Sequence, residues 1–310
     1  MKALRWSTGV ALVLTYGLIV LGAWVRATNS GLSCPDWPTC YGHWVPLPSE
    51  IPPDAGYAYY QVMLEWVHRL IAGVLLGPLI LVIGILCWRA RAMQPRMVTY
   101  GVLLVLLLLV QALLGGVTVL DQNSPWSVAV HLGTALLLFS VLWLIFERAA
   151  PAPAIADGAP RFLAMLVWLL AFGAMLSAAM TTKSGASLVC STWPLCDGAV
   201  IPDLGDPQIR LNFSHRLFAL ATSIGVLALY FVSRGCDGLQ GPAAAALWLV
   251  ISAVALGAVM VLLEIPVIWA VLHQGIGIAS FAPLTLLMWR CLTPASARRD
   301  ETADVSLSRA

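Results

Sequence analysis

Residues 61–87 read QVMLEWVHRLIAGVLLGPLILVIGILC, an apolar run whose charged and imidazole groups, Glu65, His68 and Arg69, crowd its first third. A helix rises 1.5 Å per residue, so about 20 residues cross the hydrocarbon layer of a bilayer and this run is long enough to span it. An imidazole inside such a layer is costly unless it is hydrogen-bonded or bound to something. His68 therefore needs a chemical reason.

Similar runs lie on both sides of it, at 8–27, 97–119, 127–146, 161–181, 211–233, 243–263 and 267–290. With 60% of the chain apolar and only 10% charged, against about a quarter charged in soluble domains, the sequence predicts an all-α polytopic membrane protein of eight transmembrane helices. Eight spans put both termini on one side. Lys2, Arg5, Arg89, Arg91, Arg96, Arg148, Arg161, Arg234, Arg290, Arg298, Arg299 and Arg309 fall on that side, against Arg26, Lys183 and Arg210 on the other. The positive-inside rule then places the termini in the cytoplasm of a cell whose inner membrane holds the chain. A net charge of +2 gives no reason to expect nucleic acid as a partner. The first span is long and closely followed by others, which predicts a retained helix rather than a cleaved signal.

The chain also repeats itself after about 145 residues. SGLSCPDWPTCYG after the first span matches SGASLVCSTWPLCDG after the fifth, and both contain Cys-x-x-Trp-Pro-x-Cys. EWVHRL matches NFSHRLF, giving His68 with Arg69 and His215 with Arg216. GGVTVLDQNSPWSVAVH matches GAVMVLLEIPVIWAVLH, giving His131 and His273. The expected organisation is two tandem four-helix bundles related by internal duplication: an N-terminal half at 1–150, a linker at 151–160 rich in Pro and Ala, a C-terminal half at 161–292, and a polar tail at 293–310.

All four histidines lie within about two turns of the non-cytoplasmic ends of their helices. Parallel helices with histidines at one depth can set two imidazoles on opposite faces of a planar macrocycle and hold its iron from both sides. Two pairs leave room for two haems. A single intramembrane histidine is more often a hydrogen-bonded core residue; the duplication is what favours ligation. The glycines that follow His131 and His273 either let a flat ring approach or pack helices together. Arg69 and Arg216 are candidates to pair a haem propionate, the alternative being lipid phosphate. Glu65 stands one turn before His68, where the second half has Asn212. It is either a carboxylate at a haem edge that takes part in oxidation or the i,i+4 partner of Arg69. His43 has no counterpart and reads as a surface residue.

Cys34, Cys40, Cys190 and Cys196 fall on the oxidising side and Cys87, Cys236 and Cys291 on the reducing side, which predicts two loop disulfides. Each serves either as a staple or in thiol exchange.

Arg26-Ala-Thr-Asn-Ser-Gly-Leu-Ser, Glu65-x-x-His68-Arg69, Leu114-Gly-Gly-Val-Thr-Val-Leu, His131, Asn212-Phe-Ser-His215-Arg216 and His273-Gln274 together resemble the haem A synthases of bacterial membranes and mitochondria. The resemblance runs over about residues 9–290. It implies an oxidoreductase acting on a CH group, which turns a ring methyl of haem O into the formyl group of haem A by successive hydroxylations with loss of water. It further implies that His68 and His131 flank the substrate haem, that Glu65 is catalytic, and that His215 and His273 bind a resident haem B cofactor through its iron. The haem O synthase (protohaem farnesyltransferase) and an electron acceptor are the protein partners such a pathway suggests, in addition to membrane lipid. Family members differ in their cysteines, so an obligatory catalytic role for the second pair does not follow. Two other classes fit parts of the pattern: a quinone-linked thiol-disulfide oxidoreductase, which does not need four histidines, and a non-catalytic bis-histidine haem carrier or electron-transfer cytochrome, against which the lone Glu65 argues.

Overall fold

The computed structural model describes residues 1–150 and 160–293. Apart from Pro160 and Thr293, the linker at 151–160 and the tail at 293–310 lie outside the described residues, as do Arg298, Arg299 and Arg309. Eight helices in the described residues are long and apolar enough to cross a membrane: α1 (Lys2–Ala27), α2 (Tyr59–Ala92), α3 (Arg96–Leu120), α4 (Pro125–Arg148), α5 (Arg161–Lys183), α6 (Pro207–Val232), α7 (Gln240–Leu262) and α8 (Val267–Leu292). Each of the eight apolar runs is found as one helix. All eight are longer than the run that announced them, because a helix continues through the headgroup layer after the hydrocarbon ends.

Local chemistry sets several boundaries. Ser124 caps α4, its hydroxyl accepting from the Ser127 N–H, and Asp206 caps α6 by accepting from the N–H groups of Gln208 and Ile209. Pro125 and Pro207 follow these caps, where a missing N–H costs nothing. Helix α2 is not uniform: a π-helical turn, Ile71–Leu76, separates Tyr59–Leu70 from Gly77–Arg89. Pro78 lies just beyond it. Proline has no N–H and its ring crowds the carbonyl four residues back, here that of Val74, and the widened turn takes up that mismatch.

Helices α1, α4, α5 and α8 form a closed inner ring, with α2 and α3 against α1 and α4, and α6 and α7 against α5 and α8. Helix α4 is the most enclosed of the eight, with 67% of its apolar window buried. Across the ring, Trp289 Nε1 donates to the Ser140 carbonyl at 2.9 Å and Trp168 Nε1 donates to Thr285 Oγ1 at 3.0 Å, which satisfies two indole N–H groups inside the apolar core. Val74, Val102, Leu113, Ile224 and Trp248 are exposed on the outer surface, where lipid is the solvent.

Positions that the sequence repeat pairs make matching contacts. Gly133 on α4 lies against Phe172 and Leu176 of α5, and Gly275 on α8 lies against Tyr16 and Val20 of α1. Glycine at both places lets two helices approach closely.

Candidate functional site

The four histidines sit at similar depth, six to nine residues into α2, α4, α6 and α8, on the side of the bundle that carries the disulfide loops. His215 Nδ1 lies 3.0 Å from the Ala174 carbonyl and 3.3 Å from Ser177 Oγ, both on α5. His273 Nδ1 lies 2.9 Å from the Ala253 carbonyl on α7. Because each Nδ1 faces a carbonyl, it carries the proton and donates, and the lone pair is left on Nε2. The two rings are 6.5 Å apart between centroids and perpendicular. A metal–nitrogen bond of about 2 Å on each side, plus about 1.1 Å from nitrogen to ring centre, requires about 6 Å between ring centres. This pair fits iron held between two imidazoles.

The first pair meets the corresponding helices, α1 and α3. The backbone of Leu18 on α1, the residue that the repeat pairs with Ala174, faces His68. His131 meets Gln111 on α3, the residue paired with Ala253, but through the side chain: Nε2 lies 3.3 Å from the Gln111 amide nitrogen, while His131 Nδ1 is buried with no partner. An orphaned imidazole nitrogen beside a second histidine suits a ligand. Glycines flank the rings at Gly22, Gly115 and Gly257. A Cβ added at these would come within 3.4 Å of His68 Nε2, 3.4 Å of His131 Cε1 and 2.9 Å of His273 Cε1. By contrast, the glycines that follow His131 and His273 in sequence serve helix packing between the halves.

Glu65 is 5% exposed, and both of its oxygens are engaged. Oε1 accepts from Arg69 Nη2 at 2.6 Å, and Oε2 accepts from Ser33 Oγ at 3.0 Å and from the Cys34 N–H at 2.9 Å. The i,i+4 ion pair and a fixed carboxylate thus coexist. Asn212 takes the same place in the second half, its amide donating to the Ala186 and Ser187 carbonyls and its oxygen accepting from Arg216 Nε.

Arg69 and Arg216 perform one task in both halves. Arg69 donates to the carbonyls of Cys34, Asp36 and Thr39. Arg216 donates to those of Cys190, Thr192, Pro194 and Leu195. Each guanidinium gathers its disulfide loop onto the helix that carries the first histidine, a use that neither a propionate nor a lipid phosphate had suggested. Cys34 is bonded to Cys40 and Cys190 to Cys196. All four residues are buried, which suits a staple better than exchange with an outside thiol. Trp37 of the first loop lies over Gly116, beside the glycine that faces His131. Within that loop Asp36 is held below the ordinary carboxylate pKa. Burial alone would raise it, but the Thr39 hydroxyl and the N–H groups of Gly42 and Tyr41 favour the anion. The His43 side chain is half exposed and lies against Glu50, as expected of a surface residue, while its backbone pairs with that of Cys40.

Residues 5–285 match the family model described as cytochrome oxidase assembly protein, COX15-CtaA. The chain belongs to this family. It is similar to a protein named heme A synthase from Shewanella oneidensis, 30% identical, with 88% of this chain and 92% of the relative covered. Proteins of the same name from Shouchella clausii (31% identical; 83% of this chain and 84% of the relative) and Symbiobacterium thermophilum (31%; 94% and 96%) are similar to it as well. Membership of the cytochrome oxidase assembly family brings haem binding with it, which the imidazole geometry had already suggested. Gln111, Ser177, Gly22 and Gly257 were not singled out in the sequence, and Ser33 and Gly115 stood in quoted motifs with no role assigned. For Gly115 and Gly257 a signal existed, since they open the two matched segments that end in His131 and His273.

Proposed function

We propose that this chain is a haem A synthase, which oxidises the ring methyl of haem O to a formyl group and supplies haem A to terminal oxidases. On this reading it is an oxidoreductase acting on a CH group, in the inner membrane with cytoplasmic termini, as its arginine distribution favours. The two four-helix halves divide the work. His68 and His131 flank the substrate haem O, and His215 and His273 hold a resident haem B. The observation that carries the reading is the second pair: two imidazoles 6.5 Å apart, each with Nδ1 committed to a backbone carbonyl and Nε2 free.

When bound there, haem B would supply one-electron transfer. The chain's own residues do the rest. Ala174 and Ala253 fix the tautomers of the resident ligands. Glu65 is the catalytic carboxylate, its rotamer set by Ser33, Cys34 and Arg69, and Oε1 keeps a lone pair able to take a proton or face positive charge as the methyl is oxidised. Asn212 can do neither at neutral pH, which separates a reacting half from a holding half. Arg69 and Arg216 keep the loops over the two sites, and a haem propionate would share them with the loop carbonyls. An electron acceptor and the protohaem farnesyltransferase that makes haem O are the protein partners on this reading.

Purified protein from haem-replete cells tests it. A Soret band is expected, and cells that also make haem O should accumulate haem A, identified by mass after extraction. Absence of the Soret band would overturn the haem reading; unaltered haem O alongside a normal Soret band would leave a carrier.

A further inference from the structure

His131 and His273 hold the same place in the two halves but face their neighbouring helices through different atoms. His273 on α8 turns Nδ1 to the Ala253 carbonyl of α7 at 2.9 Å, which leaves Nε2 open. His131 on α4 meets α3 through Nε2, which lies 3.3 Å from the Gln111 amide nitrogen. An amide nitrogen only donates, so Nε2 accepts, the ring proton is on Nδ1, and the lone pair that iron would take is already in use. That Nδ1–H is buried with no acceptor, and Gln111 Oε1 is buried with no donor.

Both departures trace to one side chain. The repeat pairs Gln111 with Ala253, so α3 and α7 offer a backbone carbonyl at the same place and differ in what projects beside it. The rings sit accordingly. A Cβ at Gly257 would come within 2.9 Å of His273 Cε1 and 3.2 Å of its Nδ1, whereas a Cβ at Gly115 would meet only His131 Cε1, at 3.4 Å. The carboxamide thus keeps His131 off the α3 backbone. A buried Nδ1–H and a buried amide oxygen without partners are each costly. Helix packing does not require them, since α7 packs against α8 with alanine at that place.

We propose that Gln111 is the positioning residue that makes the first haem site exchangeable. Its amide occupies His131 Nε2 while the site is free, is displaced when iron binds there, and returns as the haem leaves. With iron bound, His131 retains an Nδ1–H without an acceptor, which makes it a weaker donor than His273. The inference rests on the haem reading above, in which a substrate haem must leave as product and a resident haem must stay. Two ligand pairs built from one repeat differ in retention through a side chain that touches only one of them.

Haem release to excess apomyoglobin, followed by absorbance after purified full-length protein is loaded with haem B, tests this. Wild type should release haem in a fast and a slow phase, and His131→Ala should remove the fast one. Gln111→Ala gives His131 the surroundings of His273 and should slow the fast phase by about tenfold or more. Ala253→Gln makes the reciprocal change and should speed the slow phase. A variant with a loosened fold releases haem faster, so slower release from Gln111→Ala has no structural imitation. Spectroelectrochemical titration supplies a second readout: a better imidazole donor favours ferric iron, so Gln111→Ala should shift the first-site haem to lower potential and leave the other where it is. Where wild type fills only the second pair, Gln111→Ala should fill the first as well. Unchanged or faster release from the first pair in Gln111→Ala overturns the proposal, as does a first pair that this variant leaves empty, or a wild type that loses both haems at one rate. Wild type that binds no haem removes the haem reading and this inference with it.

Discussion

The backbone N–H of Cys34 donates to Glu65 Oε2 at 2.9 Å, so the first disulfide loop and the carboxylate one turn before His68 are a single unit. Glu65→Gln keeps the size but sets an amide against donors on both sides, Arg69 and the Ser33–Cys34 pair. Haem A formation should fall by about a hundredfold or more while resident haem at His215 and His273 stays at wild-type content. Ser33→Ala removes one bond to the same oxygen and should lower the rate by about tenfold or less. Both are read by mass analysis of extracted haem, and normal product from Glu65→Gln would leave Glu65 a structural anchor of the loop.

Gly257 and Gly115 should differ in tolerance. A methyl at Gly257 comes within 2.9 Å of His273 Cε1, and that ring is tied to Ala253, so Gly257→Ala must push the ligand off its line. Resident haem should drop several-fold, measured as pyridine haemochrome per protein. At Gly115 the distance is 3.4 Å, so Gly115→Ala should leave His131 in place and haem A formation near the wild-type level, read by mass analysis of extracted haem.

The first loop should respond to acid. Asp36 has its folded pKa below the ordinary 3.8, so its contribution is present above that value and is lost as pH falls through the depressed folded pKa. Amide exchange across residues 36–42 should therefore quicken on acidification below pH 3.8. Asp36→Asn should exchange faster already at neutral pH and lose that acid step; a step retained in the variant would assign it to another group.

Ile265 holds φ at 59°, a left-handed conformation that a β-branched residue adopts only at a cost. At the matching turn between α3 and α4 the chain uses Asn123, with φ 55°. Ile265→Asn should stabilise the protein by about 1 kcal/mol, and raise Tm in detergent by about 2 °C. A lower Tm would show that the Ile265 side chain contributes more by packing than the turn loses by strain.

The eight spans were legible because lipid imposes a long, unbroken apolar run, and the depth of the histidines followed from their distance to helix starts. The π-helical turn in α2 was not, since Pro78 announces a disturbance without saying whether the helix kinks, breaks or widens. Pairing of the histidines came from the repeat. What completes each site was hidden for a common reason: Leu18, Gln111, Ala174 and Ala253 sit on neighbouring helices, and their partnership with an imidazole exists only once those helices pack. Arg69 and Arg216 were noticed, but their reach to three or four loop carbonyls depends on a loop path that no spacing reveals. Glu65 stood out against Asn212 in the sequence, whereas its grip on Ser33 and Cys34 needed coordinates.

The Gly275 contact with Tyr16 and Val20 and the Gly133 contact with Phe172 and Leu176 have a consequence for assembly. Each half meets the other through near copies of one joint, used twice around the ring. We therefore expect the two halves to behave as separate units whose join serves mainly to raise their effective concentration. Two separate polypeptides, residues 1–150 and 151–310, made in the same membrane should therefore find each other and co-purify with haem, at lower yield than the intact chain.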